Sequence, residues 1–256
     1  MRRYVMRIAV LSDVHANFLA LDAVYADMQA QRIDETVFLG DLVMTGPRPG
    51  ECYSLLERMK PAVWIQGNTD NWLEEIDESF VPKDEKEAFQ KSLNDYAAEA
   101  LGKAQKENLI GKPISQDAVF GSVHFTFCHG TPTSFSRGLD LRLDLDELDS
   151  IAESCGAAVV CCGHTHTRLF MRHGNMSVCN FGSVSLPSGD DGRMARYGII
   201  EIRGSGSMGF ECRDIAYDID AFFADMTDSG YPGLEFVRKK YGYAIHSSLE
   251  KTDRTA

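Results

Sequence analysis

No stretch of the 256 residues approaches the roughly 20 consecutive apolar side chains that a helix needs to cross a bilayer, so no membrane association is expected. Positive charge is also scarce. The chain has 26 Lys and Arg against 38 Asp and Glu, a formal net charge of −12 at pH 7. Such a chain repels a polyphosphate backbone, and no stable nucleic-acid partner is expected. The lack of a basic stripe interleaved with aromatics further disfavours a long polymer substrate. The cysteines lack a framework. There are seven, at positions 52, 128, 155, 161, 162, 179 and 212, and several lie inside apolar runs such as Val159-Val160-Cys161-Cys162. They read as buried free thiols in a reducing, cytoplasmic setting. The N-terminal stretch MRRYVMRIAVLSDVH has only a short apolar run that ends in Asp13, with no small-residue cleavage site. It does not read as a signal peptide, and Met6 is an alternative start.

What is present is ordinary for a globular protein: 44% hydrophobic and 25% charged residues. Residues 7–12, 36–39 and 62–66 read as buried strands. Between them, 18–30 shows helical spacing (Phe18, Leu19, Leu21, Val24, Tyr25, Met28), and 50–59 also looks helical. This strand–helix–strand–helix–strand order predicts a right-handed parallel α/β unit. Residues 71–112 break the pattern and predict a helical insertion, divided near Pro82, which either covers the site as a lid or packs at the periphery. The second half is richer in strands: a hairpin of 118–120 and 123–128, then 157–162, 168–172, 175–179, 196–203 and 208–214, with a helix over 144–154. A helical tail is expected over 218–256, disordered after about 244. No internal repeat or low-complexity linker appears, so 1–256 reads as a single domain carrying the 71–112 insertion.

Five short polar segments each follow a predicted strand: Ser12-Asp13-Val14-His15, Gly40-Asp41, Gly67-Asn68-Thr69-Asp70, His129-Gly130 and Gly163-His164-Thr165-His166. In open α/β sheets, ligands sit beyond the carboxyl ends of the strands. Asp13 and His15 are two apart, as are His164 and His166; on extended chain each pair would point the same way. Taken singly, these residues suit helix capping, ordinary turns or a structural histidine. Taken together they supply Asp, His, Asp, Asn, His, His and His, a mixed oxygen and nitrogen donor set without obligatory thiolate. That set suits two borderline divalent metals better than a structural zinc, and paired metals imply phosphate-ester hydrolysis.

The set Asp13-x-His15, Gly40-Asp41, Gly67-Asn68-x-Asp70, His129 and Gly163-His164-x-His166 resembles the calcineurin-like metallophosphoesterase superfamily. Within it, the chain resembles the small YfcE-like phosphodiesterases. Gly40-Asp41-Leu-Val-Met-Thr-Gly46-Pro47-Arg48-Pro49 and Asn180-Phe-Gly182-Ser183-Val184 resemble that branch too, and the likeness covers roughly 6–203 outside the insertion. It implies an α/β fold, a four-layer α/β/β/α sandwich of two mixed sheets with a helical insertion. It also implies that Asp13, His15, Asp41 and His166 hold one metal, and that Asp41, Asn68, His129 and His164 hold the other, with Asp41 bridging. Asp41, Asn68, Asp70 and His129 would be the catalytic residues. Many relatives place a histidine where this chain has Thr69, and that histidine helps protonate the leaving oxygen.

The expected activity is a dinuclear-metal-dependent phosphodiesterase, acting on a small phosphodiester or nucleotide through a metal-bridging hydroxide. Manganese, iron, zinc and nickel all suit the donors. Asn68, Arg137 and Arg48 are the leading substrate-binding candidates, with Arg193 and Arg196 further candidates for phosphate contact. Alternatives are a dinucleoside polyphosphate hydrolase, a protein-phosphatase-like phosphomonoesterase, and a non-catalytic scaffold of the same fold. A homo-oligomer is compatible with all of them.

Overall fold

The computed structural model describes residues 5–141, 144–188, 192–204 and 206–242. The first half builds β1 (Val5–Leu11), α1 (Phe18–Ala30), β2 (Glu35–Phe38), α2 (Pro49–Met59), β3 (Val63–Trp64), α3 (Asn68–Glu75) and α4 (Glu85–Ile110). Then follow β4 (Ser115–Phe120), β5 (Val123–Cys128), α5 (Leu145–Cys155), β6 (Val159–Cys161), β7 (Leu169–His173), β8 (Met176–Asn180), β9 (Met194–Arg203), β10 (Met208–Ala216), α6 (Ile219–Asp228) and α7 (Leu234–Lys240). The expected elements are all found, with ends shifted by a few residues. The tail resolves into two helices, α6 and α7; the stretch expected to be disordered lies outside the described residues.

Two five-stranded sheets form, in the orders β10-β9-β1-β2-β3 and β4-β5-β6-β8-β7. β1, β2 and β3 pair in parallel, as the strand–helix alternation predicts, while β9 runs antiparallel to β1. In the second sheet β5, β6 and β8 are parallel, and β4 and β7 are antiparallel at the edges. Both sheets are mixed, as expected.

Alternation along each strand sorts side chains into layers. Ile8, Val10 and Val37 of the first sheet meet Phe125, Phe127 and Val159 of the second in one buried cluster. Phe125 and Phe127 are fully enclosed and stack at 5.5 Å, and burial of each contributes about 1.5–3 kcal/mol. The opposite face of the first sheet (Ala9, Leu11, Phe38) packs on Leu21 and Val24 of α1 and Leu55 of α2. Val160 and Val178 turn outward onto Ile151 of α5. The layers therefore run helix, sheet, sheet, helix.

The insertion belongs to the first helical layer. Leu73 of α3 and Leu93, Ala97, Leu101 and Leu109 of α4 join the cluster around α1 and α2, and the Asn94 amide donates to the Ile76 carbonyl at 2.6 Å. Pro82 lies between α3 and α4, as predicted. A break that the sequence reading lacks occurs within α4 at Gly102, with φ 69° and ψ 170°. Among the described residues, no helix is long and apolar enough to cross a membrane.

Candidate metal centre

The polar segments leave the carboxyl ends of β1, β2, β3, β5 and β6 and converge. His15 Nε2 lies 3.1 Å from His166 Nε2 and 3.7 Å from Asp41 Oδ2. His166 Nε2 is 3.3 Å from Asp13 Oδ1. His129 Nε2 is 3.4 Å from Asp41 Oδ2, 3.8 Å from Asp13 Oδ1 and 3.1 Å from Asn68 Oδ1. His164 Nδ1 is 2.8 Å from Asn68 Oδ1 and 3.3 Å from His129 Nε2. All seven expected metal ligands thus share one cluster. Two groups have donor atoms mutually within 4.8 Å: Asp13, His15 and His166, and Asp13, Asp41 and His129. Asp13 is common to both groups, and Asp41 Oδ2 also faces both His15 and His129.

The convergence is not made by extended alternation, as the two-residue spacings suggested. Asp13, His15, Asp41, His164 and His166 have φ of 58°, 50°, 59°, 64° and 56°, all left-handed. Each such turn costs about 1–2 kcal/mol in an L-residue, and strain of this kind gathers at functional sites. Close packing holds the turns. A Cβ on Gly67 would lie 2.1 Å from Asp41 Oδ1, and one on Gly163 would lie 1.9 Å from Ser12 Oγ. Only glycine allows these backbones to approach.

Backbone carbonyls orient three imidazoles. Nδ1 of His15, His129 and His166 faces the carbonyls of Val43 (3.2 Å), Leu39 (2.7 Å) and Leu186 (2.8 Å). Each Nδ1–H donates outward, which turns the Nε2 lone pair into the cluster. Nothing in the sequence marks these carbonyls.

Asp70 does not face the cluster with a free oxygen. Its Oδ2 accepts from the Asp41 and Gly67 N–H groups at 2.9 and 3.0 Å, and its Oδ1 accepts from Leu42 and Val43 at 2.9 and 3.3 Å. Burial and the adjacent Asp41 charge push this carboxyl up to about 7, against the pull of those donors. Its place is to hold two ligand loops together. The Thr69 N–H donates to Asp41 Oδ1 at 2.8 Å, and its hydroxyl donates to the Val43 carbonyl at 3.2 Å.

The charges are strongly coupled. Burial opposes ionisation of Asp13 and Asp41, yet neighbouring imidazoles hold both below the ordinary carboxylate range, His166 and then His129 for Asp13, and His129 for Asp41. Burial would lower His129, but Asp41 and Asp13 lift it to about 9. Burial brings His15 down to about 4. One carboxylate oxygen, Asp13 Oδ1, is buried without a hydrogen-bond donor. A divalent cation would satisfy such an oxygen amid inward-facing imidazoles, and the donors fit manganese, iron or zinc.

The arginines are less convergent. Arg137 pairs with Glu147 through Nε at 3.2 Å and Nη2 at 2.9 Å, and lines a 550 Å³ cavity shared with His164, Thr165 and Thr167. Arg48 pairs with Asp225 of α6 and lies over the Phe18 ring, so its guanidinium is committed to the helical layer. Arg196 binds Asp214 Oδ1 at 3.2 Å and the Ser188 carbonyl at 3.1 Å.

An uncharacterised protein of Methanocaldococcus jannaschii is 40% identical over 63 residues, 25% of this chain and 26% of that protein. The match thus spans about a quarter of the relative's length. A metallophosphoesterase from Sphaerobacter thermophilus superposes with a TM-score of 0.72 at 25% identity, covering 93% of this chain and 98% of that one. A hypothetical protein from Pyrococcus horikoshii OT3 gives a TM-score of 0.77 at 19% identity, with 91% and 96% covered. The E. coli phosphoesterase YfcE is also similar, at 19% identity, a TM-score of 0.46, and 83% and 100% coverage. The model of the calcineurin-like phosphoesterase superfamily domain matches residues 6–205, which hold the second sheet, the first sheet apart from β10, and every segment of the cluster, and the chain belongs to that superfamily.

Proposed function

We propose that the protein is a phosphodiesterase that uses two divalent metal ions at this cluster to hydrolyse small phosphodiesters or nucleotides. The observation that carries the reading is the pair of overlapping donor groups around the donorless oxygen of Asp13. Asp13, His15 and His166 would hold one ion, Asn68, His129 and His164 the other, and Asp41 faces both sides. When bound, such ions polarise phosphoryl oxygens and bring the pKa of water near 7.

The remaining work falls to the chain. Asp70 fixes the backbones that present Asp41 and Asn68. His129 must release its proton before it can ligate. Asn68 turns its Oδ1 to His129 and His164, which leaves its amide N–H groups for a phosphoryl oxygen. Arg137 and Thr165 line the cavity beside His164, where an ester substituent would lie. The Thr69 hydroxyl is spent on a carbonyl and is a poor acid, which favours substrates whose leaving group departs without protonation. The test is a matched assay of bis(p-nitrophenyl) phosphate, diadenosine tetraphosphate and a phosphopeptide. The proposal expects the aryl diester or the anhydride to be cleaved first; a preference for the phosphopeptide would make the protein a phosphomonoesterase instead.

A further inference from the structure

We infer that Tyr241, outside the segment matched by the family, is a positioning residue for the metal centre. The inference rests on the reading of the cluster as a metal site. Tyr241 follows α7 and is buried, with its ring between Phe222 at 6.1 Å and Phe223 at 5.8 Å. Its hydroxyl accepts from the Leu186 N–H at 2.9 Å and lies 2.8 Å from Ser185 Oγ. Either hydroxyl can be the donor in the contact with Ser185, so the phenol ties the side chain of Ser185 and the backbone of Leu186 to one point.

The segment held in this way touches two of the proposed ligands. The Leu186 carbonyl accepts from His166 Nδ1 at 2.8 Å, which sets the ring's tautomer and direction. The Ser185 N–H donates to the Asp13 carbonyl at 3.0 Å, and the Ser188 N–H donates to the His166 carbonyl at 3.1 Å. Leu186 belongs to neither sheet, has φ of 55° and precedes Pro187, so no ladder holds it in this left-handed turn. The Tyr241 hydroxyl restrains the Leu186 N–H, beside the backbone bonds that hold Ser185 and Ser188. Asn17, which caps α1, adds a bond to Ser185 Oγ at 3.2 Å and to the Tyr217 hydroxyl at 3.2 Å. A C-terminal helix thereby reaches the metal centre through one phenol and one backbone turn.

The experiment titrates metal-free full-length protein with Co²⁺ and reads affinity and the visible d–d spectrum. Three proteins are compared: wild type, Tyr241→Phe, and Met226→Ala as a packing control in α6, with folding checked by circular dichroism. Tyr241→Phe keeps the ring and loses only the hydroxyl. The expected result is about a tenfold weaker Co²⁺ affinity with an altered spectrum, while Met226→Ala lowers the melting temperature and leaves both unchanged. Wild-type affinity and spectrum in Tyr241→Phe would overturn the inference alone, as would equal weakening in both variants. Failure of the wild type to bind Co²⁺ would overturn the metal-site reading and this inference with it.

Discussion

Asp70 holds Asp41 by its backbone: Asp70 Oδ2 accepts the Asp41 N–H at 2.9 Å, while Asp41 turns its own Oδ2 toward His15 and His129. One carboxylate binds backbone and its neighbour faces the histidine cluster, although the two lie 29 residues apart in sequence. Asp70→Asn keeps the shape but turns an amide N–H group toward backbone donors. It should destabilise the fold by about 1–3 kcal/mol and lower turnover by misplacing the Asp41 loop. Urea denaturation and kinetics on one diester measure both; unchanged stability would show that the four hydrogen bonds are dispensable.

His129 makes the metal-free protein pH-sensitive. Asp41 and Asp13 raise its pKa to about 9, against burial and above the ordinary value near 6.5. Its contribution to stability is therefore fully present below pH 6.5 and is lost as pH rises through 9. Metal binding needs the neutral ring, so affinity should rise over the same interval. Thermal melts with and without chelator should diverge from pH 6.5 to 9, with the metal-free curve falling. A metal-free melting temperature that rises across that window would contradict the assignment.

Thr69 predicts a leaving-group dependence. Its buried hydroxyl is bonded to the Val43 carbonyl. Aryl diesters should be cleaved much faster than alkyl diesters. Thr69→His should narrow the gap by raising the alkyl rate; an unchanged ratio would mean that another group protonates the leaving oxygen.

Arg137 and Glu147 should act in opposition on substrate binding. Arg137→Ala should raise KM and leave kcat nearly unchanged, because the side chain lines the cavity without touching the ligand cluster. Glu147→Ala frees the guanidinium and should lower KM. Identical KM values for both variants would remove Arg137 from the substrate site.

Much of this site is legible in the sequence. Asp13, Asp41, Asn68, His129 and His164 each follow an apolar run that reads as a buried strand, and strand ends in α/β sheets gather at one edge. The mode of convergence is not legible, because Asp and His enter left-handed turns without a glycine to announce it. The carbonyls of Leu39, Val43 and Leu186 are equally silent, since a backbone acceptor leaves no mark on residue type. Arg48 stands in a family-like motif, yet Asp225, 177 positions later, engages its guanidinium. The parallel β1–β2–β3 unit follows from the order of strands and helices, whereas the two mixed sheets are implied by the family resemblance alone. The kink at Gly102 does not, because a glycine within a helical pattern is compatible with either a straight or a broken helix.

The most direct measurement is the metal content of purified protein set against its activity, for wild type and Asp41→Ala. The account predicts two divalent ions per wild-type chain, with activity lost on chelation and restored by manganese, iron or zinc. Asp41→Ala should be inactive and short of at least one ion. Full turnover by exhaustively chelated wild type, or by a variant that retains both ions, would contradict it.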